Sequence, residues 1–97
     1  MKAKRVFYDK AVLPDGEIVE MVIWQLPEAS SERPHGLKYS LFYGRDGERI
    51  VGYDNERGKG DHKHLGTAET PYSFVSAERL VADFLADVER AKNERNA

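Results

Sequence analysis

Apolar and polar positions along the first quarter of the chain predict a β-hairpin. Apolar residues are dense from Lys4 to Leu13, and the turn-forming sequence Pro-Asp-Gly follows at 14–16. The run from Glu17 to Leu26 then places apolar residues on both faces of an extended chain. This second strand is therefore expected to be central in a sheet and covered on both sides for much of its length.

A second hairpin is predicted after the polar, proline-containing segment 27–36, which has no periodicity and is typical of an exposed loop. Residues 37–43 alternate with period two, 44–47 forms a tight turn, and 48–54 returns as a fourth strand. Gly52 lies inside that strand, where the missing side chain predicts a bulge or a close approach by a ligand or another backbone.

One amphipathic helix is predicted near the C-terminal end, after an irregular stretch over 55–75. Ser76 is suited to cap it because a serine hydroxyl accepts a hydrogen bond from a free backbone N–H, so the helix is expected to begin at Ala77. Its apolar stripe is expected to pack on the sheet and consists of Leu80, Val81, Phe84, Leu85 and Val88. Its polar positions are expected to face water and include Arg79, Asp83, Asp87 and Arg90. A polar tail follows from about residue 92. The pattern predicts one α+β domain over residues 1–97, an antiparallel four-stranded meander sheet packed against one C-terminal helix (ββββα).

Composition supports a single globular domain and excludes several kinds of chemistry. Of 97 residues, 40% are hydrophobic and 33% charged, which is enough apolar material for one core under a charged surface. The absence of cysteine excludes disulfides, thiolate nucleophiles and cysteine-bound zinc, and favours a cytoplasmic location. Charged residues interrupt the apolar stretch near the N-terminus, so neither a signal peptide nor a membrane span is predicted. A net charge of -2 argues against a protein that coats DNA.

Reactive side chains are concentrated in the segment from Tyr53 to His64. It holds two of the three histidines, three basic residues, three carboxylates and two glycines within twelve positions. The segment directly follows a predicted strand, so the strand end can hold Asp54 rigidly while the glycines let the backbone bring later side chains back to it. The functional chemistry is therefore expected here.

The same segment carries a resemblance to a known family. The string Asp-Asn-Glu-Arg-Gly-Lys-Gly-Asp-His-x-His from Asp54 to His64, with 20–24 before it and 84–87 after it, resembles the TumE-like toxins of bacterial type II toxin-antitoxin modules. The similarity covers nearly the whole chain. The resemblance implies a toxin encoded beside an antitoxin that carries a helix-turn-helix DNA-binding domain and neutralises the toxin by direct contact.

Metal-independent RNA cleavage is the first interpretation of this segment. His62 and His64 titrate near neutral pH and suit the roles of general acid and general base. The other groups would stabilise the phosphorane or orient an imidazole, namely the cations Arg57 and Lys59 and the carboxylates Asp54 and Asp61.

Two other interpretations of the segment remain open. Residues two apart on an extended chain point the same way, so His62, His64 and a carboxylate such as Asp54 or Asp61 are candidate ligands for a divalent metal. In the third interpretation the loop pairs its own charges and only lines an interface with RNA or an antitoxin.

Contacts to RNA are predicted from four residues in and beside this segment. Lys63 and Arg49 are candidate phosphate contacts, and Tyr43 and Tyr53, near strand ends, are candidate stacking platforms for bases. Three other rings are given structural interpretations. His35 is interpreted as a surface histidine, and Trp24 and Tyr39 as core residues within strands.

The function predicted from the sequence is that of a toxin of a type II toxin-antitoxin module. It is expected to act on RNA as a small metal-independent endoribonuclease or translation inhibitor, without a cofactor. The alternative is a non-catalytic protein-binding or nucleic-acid-binding module whose loop only makes contacts. The expected partners are a helix-turn-helix antitoxin, RNA and a second copy of the chain in a homodimer, and no membrane.

Overall fold

The computed structural model describes residues 2–56 and 60–95, which form one antiparallel sheet and one helix. The elements in chain order are β1 (Lys4–Val12), β2 (Glu17–Gln25), β3 (Leu37–Arg45), β4 (Glu48–Asp54), β5 (His62–Leu65), β6 (Ala68–Pro71) and α1 (Ala77–Arg95). Each strand pairs with the next in sequence, so the sheet is a meander in the order β1-β2-β3-β4-β5-β6. No helix in the described part of the chain is long and apolar enough to cross a membrane.

The α+β class, the first four strands and the C-terminal helix are confirmed, but the predicted strand count is wrong. The sheet has six strands rather than four, because β5 and β6 form a hairpin inside the stretch predicted to be irregular. Both strands are four residues long, and β5 reads His-Lys-His-Leu, so neither carries the alternating apolar pattern that identifies a strand. The pairing of β5 with β4, and of β6 with β5, defines them instead.

The turn between β3 and β4 consists of residues that suit the right-handed twist of the sheet. Asp46 and Gly47 connect β3 and β4, and both have positive φ angles, 53° and 78°. A two-residue hairpin with positive φ at both positions matches the strand twist, and Asp-Gly adopts it readily. The register shifts between Tyr43 and Gly44, so the irregularity lies at the start of the hairpin and not at Gly52.

Helix α1 begins as predicted. The Ser76 hydroxyl accepts a hydrogen bond from the Arg79 backbone N–H at 3.0 Å, and the Leu80 N–H donates to the Ser76 carbonyl at 2.9 Å. The buried stripe is narrower than predicted, because Leu85 is 43% exposed. Asp87, predicted to face water, is buried because Tyr53, Lys63 and Arg90 all direct polar hydrogens at its carboxylate.

The helix covers one face of the sheet and packs principally against β4. Apolar residues from β2, β3 and β4 meet the helix stripe in the core, which contains Met21, Ile23, Tyr39, Leu41, Tyr43, Val51, Tyr53, Leu80, Phe84 and Val88. Side chains alternate between faces, so the residues between these core positions lie on the face away from the helix. We call this the open face; by register it carries Tyr8, Val22, Trp24, Lys38, Ser40, Phe42, Gly52, Asp54, His62 and His64.

Candidate functional site

The pairing of β4 with β5 brings Asp54, His62 and His64 together on the open face. Asp54 is the direct partner of His62, and Gly52 is the partner of His64. His62 Nε2 lies 2.7 Å from Asp54 Oδ1, and His64 Nε2 lies 3.7 Å from Asp54 Oδ2. The two imidazole centroids are 5.0 Å apart and nearly perpendicular. The Asp54 carboxylate therefore faces both rings, and all three groups are held on strands rather than on a loop.

His62 has an oxygen acceptor at each ring nitrogen. Nδ1 lies 2.9 Å from the Gly60 carbonyl, which can only accept, so Nδ1 carries a proton and donates. Nε2 faces the Asp54 carboxylate at 2.7 Å, with Glu69 Oε1 at 3.8 Å. A neutral ring would direct a lone pair at this carboxylate. A proton on Nε2 would instead donate to this carboxylate at hydrogen-bond distance.

His64 has the opposite environment. Burial lowers the pKa of His64 below its ordinary value near 6.5, and the Arg49 guanidinium lowers it further. Asp54 and Glu69 act in the other direction, but the net shift is downward. The neutral imidazole is therefore favoured at His64, with a nitrogen lone pair free to accept a proton.

Gly52 provides the space that brings Arg49 to this pair. A Cβ atom at Gly52 would lie 2.5 Å from Arg49 Cδ, closer than such atoms approach in proteins. The arginine side chain therefore lies over Gly52, the strand partner of His64. The prediction of a bulge, or of an approach by a ligand or another backbone, at Gly52 is therefore corrected, because an arginine side chain of the same strand lies there.

Comparison with known proteins now gives the family. The family model for Toxin TumE matches residues 2–92, nearly the whole chain. The chain belongs to the TumE toxin family. No curated protein and no solved structure matches it. Membership of a toxin family suggests an antitoxin partner.

Asp61 lies in a second cluster of this TumE family chain and not beside His62 and His64. The Tyr39 hydroxyl donates to Asp61 Oδ1 at 2.6 Å, and His35 Nε2 lies 3.1 Å from the same oxygen. The Leu37 N–H donates to His35 Nδ1, so the proton of the neutral ring is on Nε2 and faces Asp61. Burial, reinforced by the bond to Asp61, raises the pKa of Tyr39 well above its ordinary range.

The interpretation of His35 as a surface histidine is wrong. Its side chain is 14% exposed, and its ring centroid lies 3.9 Å from that of Phe74. Nearby, the buried Asn55 accepts from the Tyr39 N–H and donates to the Leu37 carbonyl. These bonds fasten the start of β3 to the chain segment after β4. The sequence signal for this cluster was Asn55 directly after a strand, where an amide can pair with backbone groups.

Three of the predicted RNA contacts of this toxin-family chain need correction. Tyr43 and Tyr53 are 0% and 1% exposed, because the helix covers the face on which both rings lie. Their hydroxyls donate to Glu17 and Asp87, so neither ring is presented to a base. Lys63 alternates with the two histidines and lies on the helix side of β5, where its ammonium is 3.4 Å from an Asp87 oxygen.

The other predicted site residues have different outcomes. Arg49 is exposed and lies beside His64, as its predicted contact with RNA requires. Arg57 and Lys59 fall outside the described residues. Of the six predicted catalytic residues, the structure brings together Asp54, His62 and His64 and separates Asp61 from them.

The same three residues have the composition of a divalent-metal site. One ligand atom from each of Asp54, His62 and His64 lies within 4.8 Å of the others. Two imidazoles and one carboxylate suit ions such as Zn²⁺, Mn²⁺ or Fe²⁺. The bond from His62 Nδ1 to the Gly60 carbonyl is the outer contact that orients a metal-binding histidine. The geometry therefore fits either proton transfer or metal binding.

Proposed function

We propose that this TumE family toxin cleaves RNA, with His62 as general acid and His64 as general base. The observation that carries the proposal is the contrast between two neighbouring imidazoles. His62 has an oxygen acceptor at each ring nitrogen, so an imidazolium there has a partner for both N–H groups, whereas burial beside Arg49 favours a neutral His64. Two titratable groups held in opposite protonation states are the pair that acid-base catalysis needs.

The reaction that suits this pair is attack of a ribose 2'-OH on the adjacent phosphorus. Neutral His64 removes the 2'-OH proton as the new O2'–P bond forms. The P–O5' bond breaks, and imidazolium His62 donates to the departing O5' the Nε2 proton that faces Asp54 in the free protein, while Nδ1 keeps its bond to the Gly60 carbonyl. The products are a 2',3'-cyclic phosphate and a 5'-OH, and the two histidines are left with exchanged protonation states.

Two other groups support this chemistry. Arg49, held over Gly52, supplies positive charge for the non-bridging oxygens of the phosphorane. Asp54 stabilises the imidazolium of His62 and fixes its ring in place. Both are positioned from strand β4, so the geometry is set before the substrate arrives.

A metal-dependent reaction is the second candidate, because His62 Nε2 and the Asp54 carboxylate face each other in an arrangement that a cation also satisfies. In that case an ion bound by Asp54, His62 and His64 would supply the nucleophile by lowering the pKa of bound water. A third outcome is a toxin that inhibits translation by binding RNA without cleaving it.

The deciding experiment uses purified protein and an end-labelled single-stranded RNA, with and without EDTA. The proposal expects cleavage in EDTA, 2',3'-cyclic phosphate ends, and no cleavage where a 2'-deoxy residue replaces the attacking nucleotide. Activity that EDTA abolishes and one divalent ion restores would support the metal site instead. RNA that is bound but never cut would leave a non-catalytic contact surface.

The partner proposed for this toxin is an antitoxin with a helix-turn-helix DNA-binding domain, encoded beside it. A compact polar site on an open sheet face is silenced most simply by covering it. Association of the toxin with itself as a homodimer stays a prediction, for which sedimentation of the purified chain is the direct measurement.

A further inference from the structure

The open face carries aromatic side chains whose distances from the histidine pair follow from the strand register. Phe42, Gly52 and His64 are consecutive partners on β3, β4 and β5, so Phe42 lies two strand spacings, about 10 Å, from His64. Tyr8 lies across the sheet from His62, four strand spacings or about 19 Å away. Because Gly52 has no side chain, the Arg49 side chain lies over this position, which pairs with both Phe42 and His64.

Trp24 lies on the same face, and its interpretation as a core residue needs correction. It pairs with Arg5 on one side and Lys38 on the other, so its indole lies between two cationic residues. Trp24 is half-buried, and Tyr8 is 46% exposed. A stacking platform needs a ring that is held in place and still partly exposed, and the Arg5 guanidinium lies over one face of the Tyr8 ring, 4.9 Å from its centroid.

The charge of this face differs from that of the whole chain, whose net charge is -2. Its carboxylates are engaged within the protein: Glu20 accepts from the Tyr8 hydroxyl at 3.0 Å, Asp54 contacts His62, and Glu69 also faces His62. The cationic residues of the open face are all exposed to solvent. They are Arg5, Lys10, Lys38 and Arg49.

We propose that the open face binds single-stranded RNA, with bases stacked on Tyr8, Trp24 and Phe42 and the backbone directed to His62 and His64. A face about 19 Å wide accommodates three to four nucleotides, one per aromatic platform and one at the histidine pair. The inference rests on the proposed function for what happens at the histidines, but the binding itself requires no cleavage.

The chemistry of the face favours RNA over a folded protein partner. Aromatic rings separated by exposed cations match the alternation of bases and phosphates along a single strand. A duplex is a poorer match, because its bases are stacked on each other and cannot reach the rings. The cations then contact the phosphates between stacked bases, with Lys38 beside Trp24 and Arg49 beside Phe42.

Trp24 is the sole tryptophan of the chain, so its fluorescence reports directly on this face. The test titrates the wild-type protein, in EDTA, with a short single-stranded 2'-O-methyl RNA, which has no free 2'-OH to attack its own phosphate. We expect saturable quenching of the Trp24 emission. Tyr8→Leu and Phe42→Leu, which keep apolar bulk but remove a ring, should each weaken binding about fivefold or more. Phe7→Leu is the matched control, because Phe7 neighbours Tyr8 but alternates to the helix side, and its affinity should stay within about twofold.

Several results would overturn the inference. These are an absence of quenching, equal competition by double-stranded RNA, or unchanged binding in both Tyr8→Leu and Phe42→Leu. A change in Trp24 emission with protein concentration, together with a dimer in sedimentation and no response to RNA, would show that the face joins two copies of the chain.

The inference and the proposed function fail separately. If the wild type binds the 2'-O-methyl strand through these rings but leaves unmodified RNA intact, the binding face stands and the cleavage proposal fails. If unmodified RNA is cleaved with the same KM by wild type, Tyr8→Leu and Phe42→Leu, cleavage stands and the binding face fails.

Discussion

Two histidines two residues apart, whose rings both face the Asp54 carboxylate, are the smallest unit of the proposed chemistry. Replacing either His62 or His64 by alanine should reduce RNA cleavage and growth inhibition by about a hundredfold or more, the usual contribution of one general acid or base. Cleavage is measured on single-stranded RNA with variants shown by circular dichroism to be folded. A folded double variant with wild-type activity would remove both residues from the mechanism and leave a contact surface.

His35 offers the matched control for these variants. His35→Ala removes one of two donors that face Asp61, since the Tyr39 hydroxyl remains, and the lost hydrogen bond costs about 0.5 to 1.5 kcal/mol of stability. The folded His35→Ala protein should nevertheless cleave RNA at the wild-type rate, because the Asp61 cluster is separate from the histidine pair. A hundredfold loss of rate in this folded variant would connect the two clusters functionally.

The lowered pKa of His64 fixes the direction of one pH effect. His64 acts as base only when neutral, so the rate should rise with pH through its pKa, on a limb below its ordinary value near 6.5. The groups that set this pKa, besides burial, are Arg49, Asp54, Glu69 and His62. Arg49→Gln removes a lowering influence, so the limb should move to higher pH, while the rate at its plateau falls because phosphorane charge is less well stabilised.

A pH profile of kcat/KM for wild type and Arg49→Gln checks this expectation. Lys38→Gln is the control, since it removes an exposed cation from the same face without lying beside His64. An acidic limb that stays in place in Arg49→Gln, or moves equally in Lys38→Gln, would exclude the assigned influence of Arg49 on His64.

At the scale of elements, the strength of the periodic signal decided what the sequence could predict. Strands β1 to β4 and helix α1 have seven or more residues each, with apolar positions that repeat at the correct period. Strands β5 and β6 have four residues each and are polar, so their own sequences do not predict them. They are identified in the structure by the pairing of β5 with the edge of β4 and of β6 with β5. Because β5 was not predicted, His62 and His64 were expected to lie on a loop. In the structure both lie on β5, on one face of the sheet.

The candidate site shows the same limit. Composition alone located Asp54, His62 and His64, because proton-transfer groups are unusually dense there. It could not assign Tyr43 and Tyr53 to the core, because that depends on which face the helix covers. Both faces of β3 and β4 carry large side chains, so burial follows from helix docking and not from the strand pattern.

Helix docking itself is testable with two neighbouring residues. Phe84 is fully buried against Tyr53, and Phe84→Ala should lower the free energy of unfolding by about 3 to 5 kcal/mol. Leu85, next in sequence but 43% exposed, is the control, and Leu85→Ala should cost less than about 1 kcal/mol. Urea unfolding of both variants gives the comparison; similar losses in the two would mean that the helix is rotated from the observed orientation.

At the scale of the whole molecule, the sheet separates the hydrophobic core from the candidate site. The helix side carries the core and holds the fold together, while the open face carries the histidine pair, the aromatic rings and the exposed cations. Each residue of a strand belongs to one face or the other, so the core and the proposed functional surface occupy alternate positions of the same strands. Substitutions at alternate positions therefore separate loss of folding from loss of activity.

This division predicts where an antitoxin must bind. An antitoxin that neutralises by contact should cover the open face, because the histidine pair and the proposed RNA surface both lie there. Covalent labelling of lysines in the toxin alone and in the purified complex tests this by mass spectrometry. Lys10 and Lys38 lie on the open face, whereas Lys4, on the same strand as Lys10, alternates to the helix side.

Labelling of Lys10 and Lys38 should fall several-fold in the complex while Lys4 stays reactive, and the complex should no longer show RNA-induced quenching of Trp24. The opposite result would be protection at Lys4 alone with quenching intact. It would place the antitoxin beside the apolar groove between β1 and α1, lined by Val6, Phe7 and Val81. Neutralisation from that position would leave the histidine pair accessible, so it would have to act through the stability of the sheet rather than by covering the site.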